Sequence, residues 1–194
     1  MIDFDCSQTK TNLARSFAGE CQAGARYQFL AKECLAQNQQ ALNAQLKSLA
    51  KQEMAHAKIY YDFLQKHCKC GQCNINIEAG YPFPSCKLEP GFLDASIAEL
   101  SEHKNIYPSF AKIARDEGYD DVAQAYEMIS KVEGVHHEIL SQIAADIKNS
   151  TLFKKPQPTD WQCTLCGHEE ESKSCWKTCP LCKADQGYAQ VKKC

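Results

Sequence analysis

The sequence predicts a mostly helical chain: a four-helix bundle with one long crossover, followed by a small cysteine-rich metal domain. Three observations carry that prediction. Apolar residues recur at spacings of three and four through residues 8–148, glutamates stand inside each of those apolar stripes, and two C-x-x-C knuckles sit in the last 34 residues. Spacings of three and four place residues on one buried helix face.

The first stripe runs Leu13, Phe17, Glu20, Gly24, Tyr27, Ala31, and the second Leu42, Leu46, Leu49, Glu53, His56, Tyr60, Phe63. The third runs Phe92, Ala95, Glu99, Glu102, Ile106, where Pro108 is expected to kink the second half. The fourth runs Val122, Tyr126, Ile129, Glu133, His136, Leu140, Ile143, Ile147. Gly118 suits a stop for the third helix and Asp120 a cap for the fourth. Short connections make helices one and two, and three and four, antiparallel neighbours. The long crossover, about residues 68 to 91, matches the ferritin-like variety of bundle. Pro156 and Pro158 then disfavour helix and read as a linker. The expected division is a bundle at 1–152, a linker at 153–160 and a metal domain at 161–194.

Composition bounds the function. A chain of 194 residues, 44% hydrophobic, can bury a real core, and its net charge of −2 gives no electrostatic case for nucleic acid. No segment approaches the ~18 apolar residues of a membrane span, and MIDFDCSQTK lacks the regions of a signal peptide, so a cytoplasmic chain is expected. Thirteen cysteines in such a chain point to metal ligation or redox chemistry before disulfides.

Buried ionised carboxylates cost several kcal/mol each unless paired or bound to a metal. Glu20, Glu53, Glu99, Glu102 and Glu133 converging in one core therefore call for cations. Glu53-x-x-His56 and Glu133-x-x-His136 put a carboxylate and an imidazole on one face, and a Glu from each remaining helix completes the di-iron carboxylate pattern. The two hairpins repeat: Glu20 to Glu53 is 33 residues and Glu99 to Glu133 is 34. Oxygen-rich ligation with two imidazoles suits iron or manganese. Glu102 has two readings, a surface charge beside His103 and Lys104 or an exchangeable ligand for one metal. Tyr27 and Tyr107 have two as well, hydrogen-bonded supports for the carboxylates or plain core.

In the tail, Cys163-x-x-Cys166 and Cys179-x-x-Cys182 form a tetrathiolate pattern shared by zinc ribbons and rubredoxins. Gly167, Pro180 and Trp161, two residues before Cys163, tilt it toward a rubredoxin-like iron centre, which would supply electrons to the bundle.

FAGE around Glu20, QEMAHAK around Glu53 and His56, YPSFAKIARDEGY, VEGVHHE around Glu133 and His136, and the paired knuckles together resemble the rubrerythrin family over essentially the whole chain. The resemblance implies di-iron ligands at Glu20, Glu53, His56, Glu99, Glu102, Glu133 and His136, with His137 outside the set, and tetrathiolate iron ligands at Cys163, Cys166, Cys179 and Cys182. It further implies a cytosolic homodimer or higher oligomer that reduces hydrogen peroxide to water. Electrons would arrive from an NAD(P)H-dependent reductase or a rubredoxin-type donor. The rival reading is a ferroxidase that handles iron. Cys68, Cys70, Cys73 and Cys86 in the crossover depart from the family's motifs and read either as loop thiols or as a further metal site. Cys6, Cys21, Cys34, Cys175 and Cys194 read as plain thiols.

Overall fold

The computed structural model describes residues 2–68 and 74–192. Helix α1 (Gln8–Ala36) starts where the Ser7 side chain accepts from the Lys10 amide at 3.1 Å, and the Gln8 and Thr9 amides donate to the Glu117 carboxylate at 2.8 Å. An anion on those free amides satisfies the helix start and ties it to the far hairpin. Helix α2 (Gln40–His67) returns antiparallel to α1 through a tight turn with Asn38 at φ 55°. Helix α3 (Leu88–Ser101) passes through a π turn, Glu102–Ile106, into α4 (Tyr107–Glu117), and α5 (Asp120–Lys148) packs along both. The bundle therefore has the expected four layers, with its third helix in two pieces. No helix among the described residues is long and apolar enough to cross a membrane.

The break in the third helix falls in the turn before Pro108, where the sequence expects it. Helical backbone runs straight into α4, so the proline has no N–H to give the preceding turn, and a proline ring crowds the carbonyl four residues back, which here is Lys104 within the π turn. The π turn is also held from outside: His103 Nδ1 lies 2.6 Å from the Ser130 carbonyl, and the Ser130 hydroxyl donates to the His103 carbonyl at 2.9 Å. Gly134 gives His103 its place, since a Cβ there would meet the ring at 3.1 Å. Alanine at 134 gains about 1 kcal/mol of helix propensity but overpacks the ring at about 1–3 kcal/mol. Gly134→Ala is therefore expected to lose stability by about 1 kcal/mol net, read as a lower urea midpoint with an unchanged slope. A raised midpoint would show that the ring is not wedged there.

Gly118, at φ 92°, ends α4 as expected. Asp120 does not cap α5: Tyr119 occupies that position, and Asp120 and Asp121 are the first helical residues, where their charge still favours the helix start.

Between α2 and α3 the described crossover, 74–87, lacks regular structure and lies as a strap against α1. The Arg15 and Arg26 guanidinium groups donate to the Glu78 and Pro82 carbonyls at 3.0 Å, and the Tyr81 hydroxyl donates to the Arg15 carbonyl at 3.0 Å. Cys70 and Cys73 lie outside the described residues.

Two apolar clusters fill the bundle. One gathers Leu13, Tyr60, Leu64, Tyr107, Val122 and Tyr126; the other Tyr27, Leu30, Leu46, Phe92, Leu140 and Ile143. On every helix the glutamates stand between the residues given to each cluster, so the polar layer divides the core.

The stretch expected as a linker is mostly strand. Strand β1 (Lys154–Cys163) is the centre of an antiparallel sheet ordered β2-β1-β3, with β2 at Glu169–Ser174 and β3 at Ala189–Val191. Pairing with β2 is irregular between Lys154 and Thr159, and β3 reaches only Trp161–Cys163, so Pro156 and Pro158 occupy a part of the strand where few ladder bonds are required. The segment is also anchored, because Lys155 pairs with Asp146 at 2.5 Å and the Thr151 amide donates to the Asp146 carbonyl at 2.8 Å. Trp161, fully buried, donates to the Ser172 carbonyl at 3.0 Å and forms the small core of this region with Cys175 and Ala189. Gly187 seats against the Asn38 carbonyl and Gln40, a contact that leaves no room for a Cβ.

Candidate metal centres

Glu20, Glu53, Glu99, Glu133 and His136 are each at most 1% exposed, and His56 is 7% exposed. Their inward atoms form two adjoining nests: Glu20, Glu53, His56 and Glu133 in one, and Glu53, Glu99, Glu133 and His136 in the other, with ligand atoms within 4.8 Å of each other. Glu53 and Glu133, one from each hairpin, belong to both. This is the geometric outcome of the matched 33- and 34-residue spacings.

The chemistry of the nests appears in their unmet valences. His56 Nδ1 lies 3.0 Å from Glu133 Oε1, and His136 Nδ1 lies 2.9 Å from Glu53 Oε1 and 2.8 Å from Glu133 Oε2. Yet eight inward atoms of these residues, both nitrogens among them, make no hydrogen bond. Unmatched polar atoms buried at this density are prohibitive in a closed core. Carboxylate oxygens and imidazole nitrogens converging on two points fit a pair of hard-to-borderline cations, and iron suits that set.

The terminal carboxylates are held from behind. Tyr107 donates to Glu20 Oε1 at 2.5 Å and Tyr27 donates to Glu99 Oε1, so each carboxylate keeps Oε2 turned to its nest. Both tyrosines are core and hydrogen-bonded support at once. Burial first, then neighbouring glutamates, push Glu20 and Glu99 well above the usual carboxylate range in the absence of cations.

Glu102 joins neither nest. It starts the π turn and lines a cavity of about 390 Å³ with Arg26, Tyr27, Cys86 and Glu99, bounded on one side by the strap. Burial, then the charges of Glu133 and Glu53, raise it to about 8. It is not the exposed surface charge of the simpler reading. His137 turns away, its Nδ1 2.8 Å from the Ser96 carbonyl.

The four tail cysteines form a second centre. Cys163 Sγ lies 3.8 Å from Cys182 Sγ, and Cys166 Sγ lies 3.8 Å from Cys179 Sγ. Each knuckle closes alike. The Gly167 amide donates to the Cys163 carbonyl at 2.8 Å and the Lys183 amide to the Cys179 carbonyl at 3.0 Å, with left-handed φ of 77° and 64°. Burial alone would raise the Cys179 thiol, but the Cys182 and Leu181 amides aimed at its sulfur hold it down to about 6. A preformed thiolate is the form a metal takes.

Sequence reasoning missed Gln52, whose Oε1 lies 2.8 Å from His136 Nε2, and the His103–Ser130 pair. Gln52 is exposed and reads as an ordinary polar residue beside Glu53.

The rubrerythrin family model matches residues 11–77 and 91–162. The chain is 34% identical to the rubrerythrin of Clostridium perfringens over 187 residues, covering 95% of this chain and 94% of that one. It is 32% identical to rubrerythrin-1 of Clostridium acetobutylicum over 185 residues, with the same coverage. Among solved structures, mixed-valence nigerythrin superposes with a TM-score of 0.62 at 21% identity over 99% of this chain and 94% of that chain, which bears on the fold alone. A di-iron carboxylate site and a rubredoxin-like four-cysteine site are both present in one ferritin-like chain. Matched along most of its length by the family model and by curated relatives above 30% identity, the chain belongs to the rubrerythrin family.

Proposed function

We propose that the chain is a peroxidase that reduces hydrogen peroxide to water in the cytoplasm, defending against oxidative stress. One observation carries the reading: two adjoining nests that share Glu53 and Glu133 lie in the same chain as a one-electron tetrathiolate site. When bound, two irons would supply one electron each, so that H2O2, two electrons and two protons give two waters without release of a radical. In this reading Glu20, Glu53, His56, Glu99, Glu133 and His136 hold the pair, with Glu102 the exchangeable ligand. Cys163, Cys166, Cys179 and Cys182 hold the third iron.

The protein's own groups then have defined tasks. Tyr107 and Tyr27 hold the outer oxygens of Glu20 and Glu99 and leave the other oxygen of each facing its nest, where it would be free to hold a cation. Glu102, on the cavity side, holds a proton at its carboxyl near neutral pH and can deliver it toward the nests. The apolar clusters above and below keep bulk water away.

Electrons would come from an NAD(P)H-dependent reductase or a rubredoxin-type donor through the tail. Gly187 docks at Asn38 and Gln40, and Gln40 is thirteen residues, about 20 Å of helix, from Glu53. That separation supports a homodimer in which each tail serves the partner's bundle.

The test is anaerobic mixing of the reduced, iron-loaded chain with peroxide or dioxygen. The expected result is rapid oxidation at one peroxide per two electrons, slower reaction with dioxygen, and a dimer on sizing. A preference for dioxygen with growth of a mineral core in a large cage would establish the ferroxidase reading instead.

A further inference from the structure

His56 and His136 occupy equivalent places in the two hairpins, but their rings are held differently. His136 Nε2 lies 2.8 Å from Gln52 Oε1, a contact that crosses from α5 to α2. Among the described residues His56 Nε2 has no hydrogen-bond partner, although both rings turn Nδ1 into their nests.

The direction of the Gln52 contact follows from the nest. An Nδ1 that faces Glu53 and Glu133 at 2.9 and 2.8 Å and gives its lone pair to a cation carries no proton. The ring proton then resides on Nε2, which donates, and the group opposite must accept. The Gln52 amide presents its oxygen there. A ligating imidazole with its other N–H held in this way is fixed in tautomer and in rotation. Gln52 itself is exposed, at the edge of a groove it shares with Gln45, Ser48, Lys131 and Val135, so its side chain fills no core volume.

We propose that Gln52 is a positioning residue for the His136 nest, and that its tether makes the His136 position the tighter of the two metal positions. The proposal rests on the nests binding a metal pair, and the test separates the two ideas. Metal-free full-length chain is titrated with Co(II) against a chromophoric chelator. The tail cysteines are followed separately, because their sulfur-to-metal charge-transfer bands differ from the weak bands of oxygen and nitrogen ligation.

Wild type is expected to take two bundle equivalents in resolved steps. In Gln52→Leu the tight step should weaken about 10–100-fold, the range for losing such a support, while the weaker step and the helical circular dichroism stay unchanged. Gln52→Glu, which keeps an acceptor at the same reach, should restore the tight step. Unchanged affinity in Gln52→Leu overturns the proposal, as does equal weakening of both steps without rescue by glutamate. A wild-type bundle that fails to take two equivalents overturns the metal-pair reading, and the proposal with it.

Discussion

Glu53→Ala is expected to empty both bundle positions while the tail centre keeps its metal. Glu53 belongs to both nests, so one truncation removes a donor from each, and Glu133 alone then remains common to the two. Losing a group that only supports a ligand costs about 10–100-fold in affinity, and losing a shared ligand must exceed that range. On the proposed peroxidase reading, peroxide turnover should fall by at least about 100-fold, with the visible spectrum of the tetrathiolate iron intact. Metal analysis per chain is the check: a variant that retains two bundle irons would show that neither position needs Glu53. Glu102→Ala makes a useful contrast, because Glu102 lies outside both nests and its loss should leave two metals bound.

Stripped of metal, the protein should lose thermal stability as pH rises from about 5 to about 9. Burial opposes charge on both imidazoles, but the glutamates around them prevail, and His136 stands at about 9 and His56 at about 12. Burial and like charge raise Glu102 from 4.5 to about 8. Each group holds its proton longer in the folded state than in the unfolded chain, so the folded state binds more protons across this window. Stability then falls with rising pH. The imidazole contributions are complete below 6.5 and vanish as pH passes about 9 and about 12; that of Glu102 is complete below 4.5 and vanishes through about 8.

Glu53 runs the other way. Burial would raise it, but His136, His56 and Glu20 hold it at about 2, so its contribution is present above 4.5 and fades only as pH falls through about 2. A net change of one pKa unit is about 1.4 kcal/mol, or about 3–6 °C in Tm for a chain of this size. Loading the bundle with metal should shrink the decline, because cations take the place of the protons on the two imidazoles. Melting curves at several pH values, with and without metal, decide it. A metal-free Tm that rises with pH contradicts the assignment of these groups to one shared polar layer.

The helices and the nest residues were legible in the sequence for one reason: a glutamate among leucines at helical spacing has few physical explanations. Glu20, Glu53, Glu99 and Glu133 were visible in that way, and the two Glu-x-x-His pairs gave the register. Pro108 did mark the place of the break in the third helix. The form of that break was not legible, because His103 meets Ser130 and Gly134 from another helix, a tertiary fact with no local signature. Pro156 and Pro158 misled: proline forbids helix but not the poorly paired stretch of a strand, and only the register of β2 and β3 shows that the ladder leaves room for them. Gln52 stayed hidden because its partner is 84 residues away.

The polar layer that splits the apolar interior has a consequence for cooperativity. Leu13, Tyr60 and Tyr126 on one side and Leu46, Phe92 and Leu140 on the other are two small interiors that share helices but touch across a floor of charge. Neither alone is large, and small cooperative units open more readily than large ones. With cations in the floor, every helix is cross-linked to its neighbours at mid-length and the two units open together. Without them, the bundle behaves as a pair of coupled foldons, so the groups that ready the chain for electron chemistry also decide whether it unfolds as one body or two.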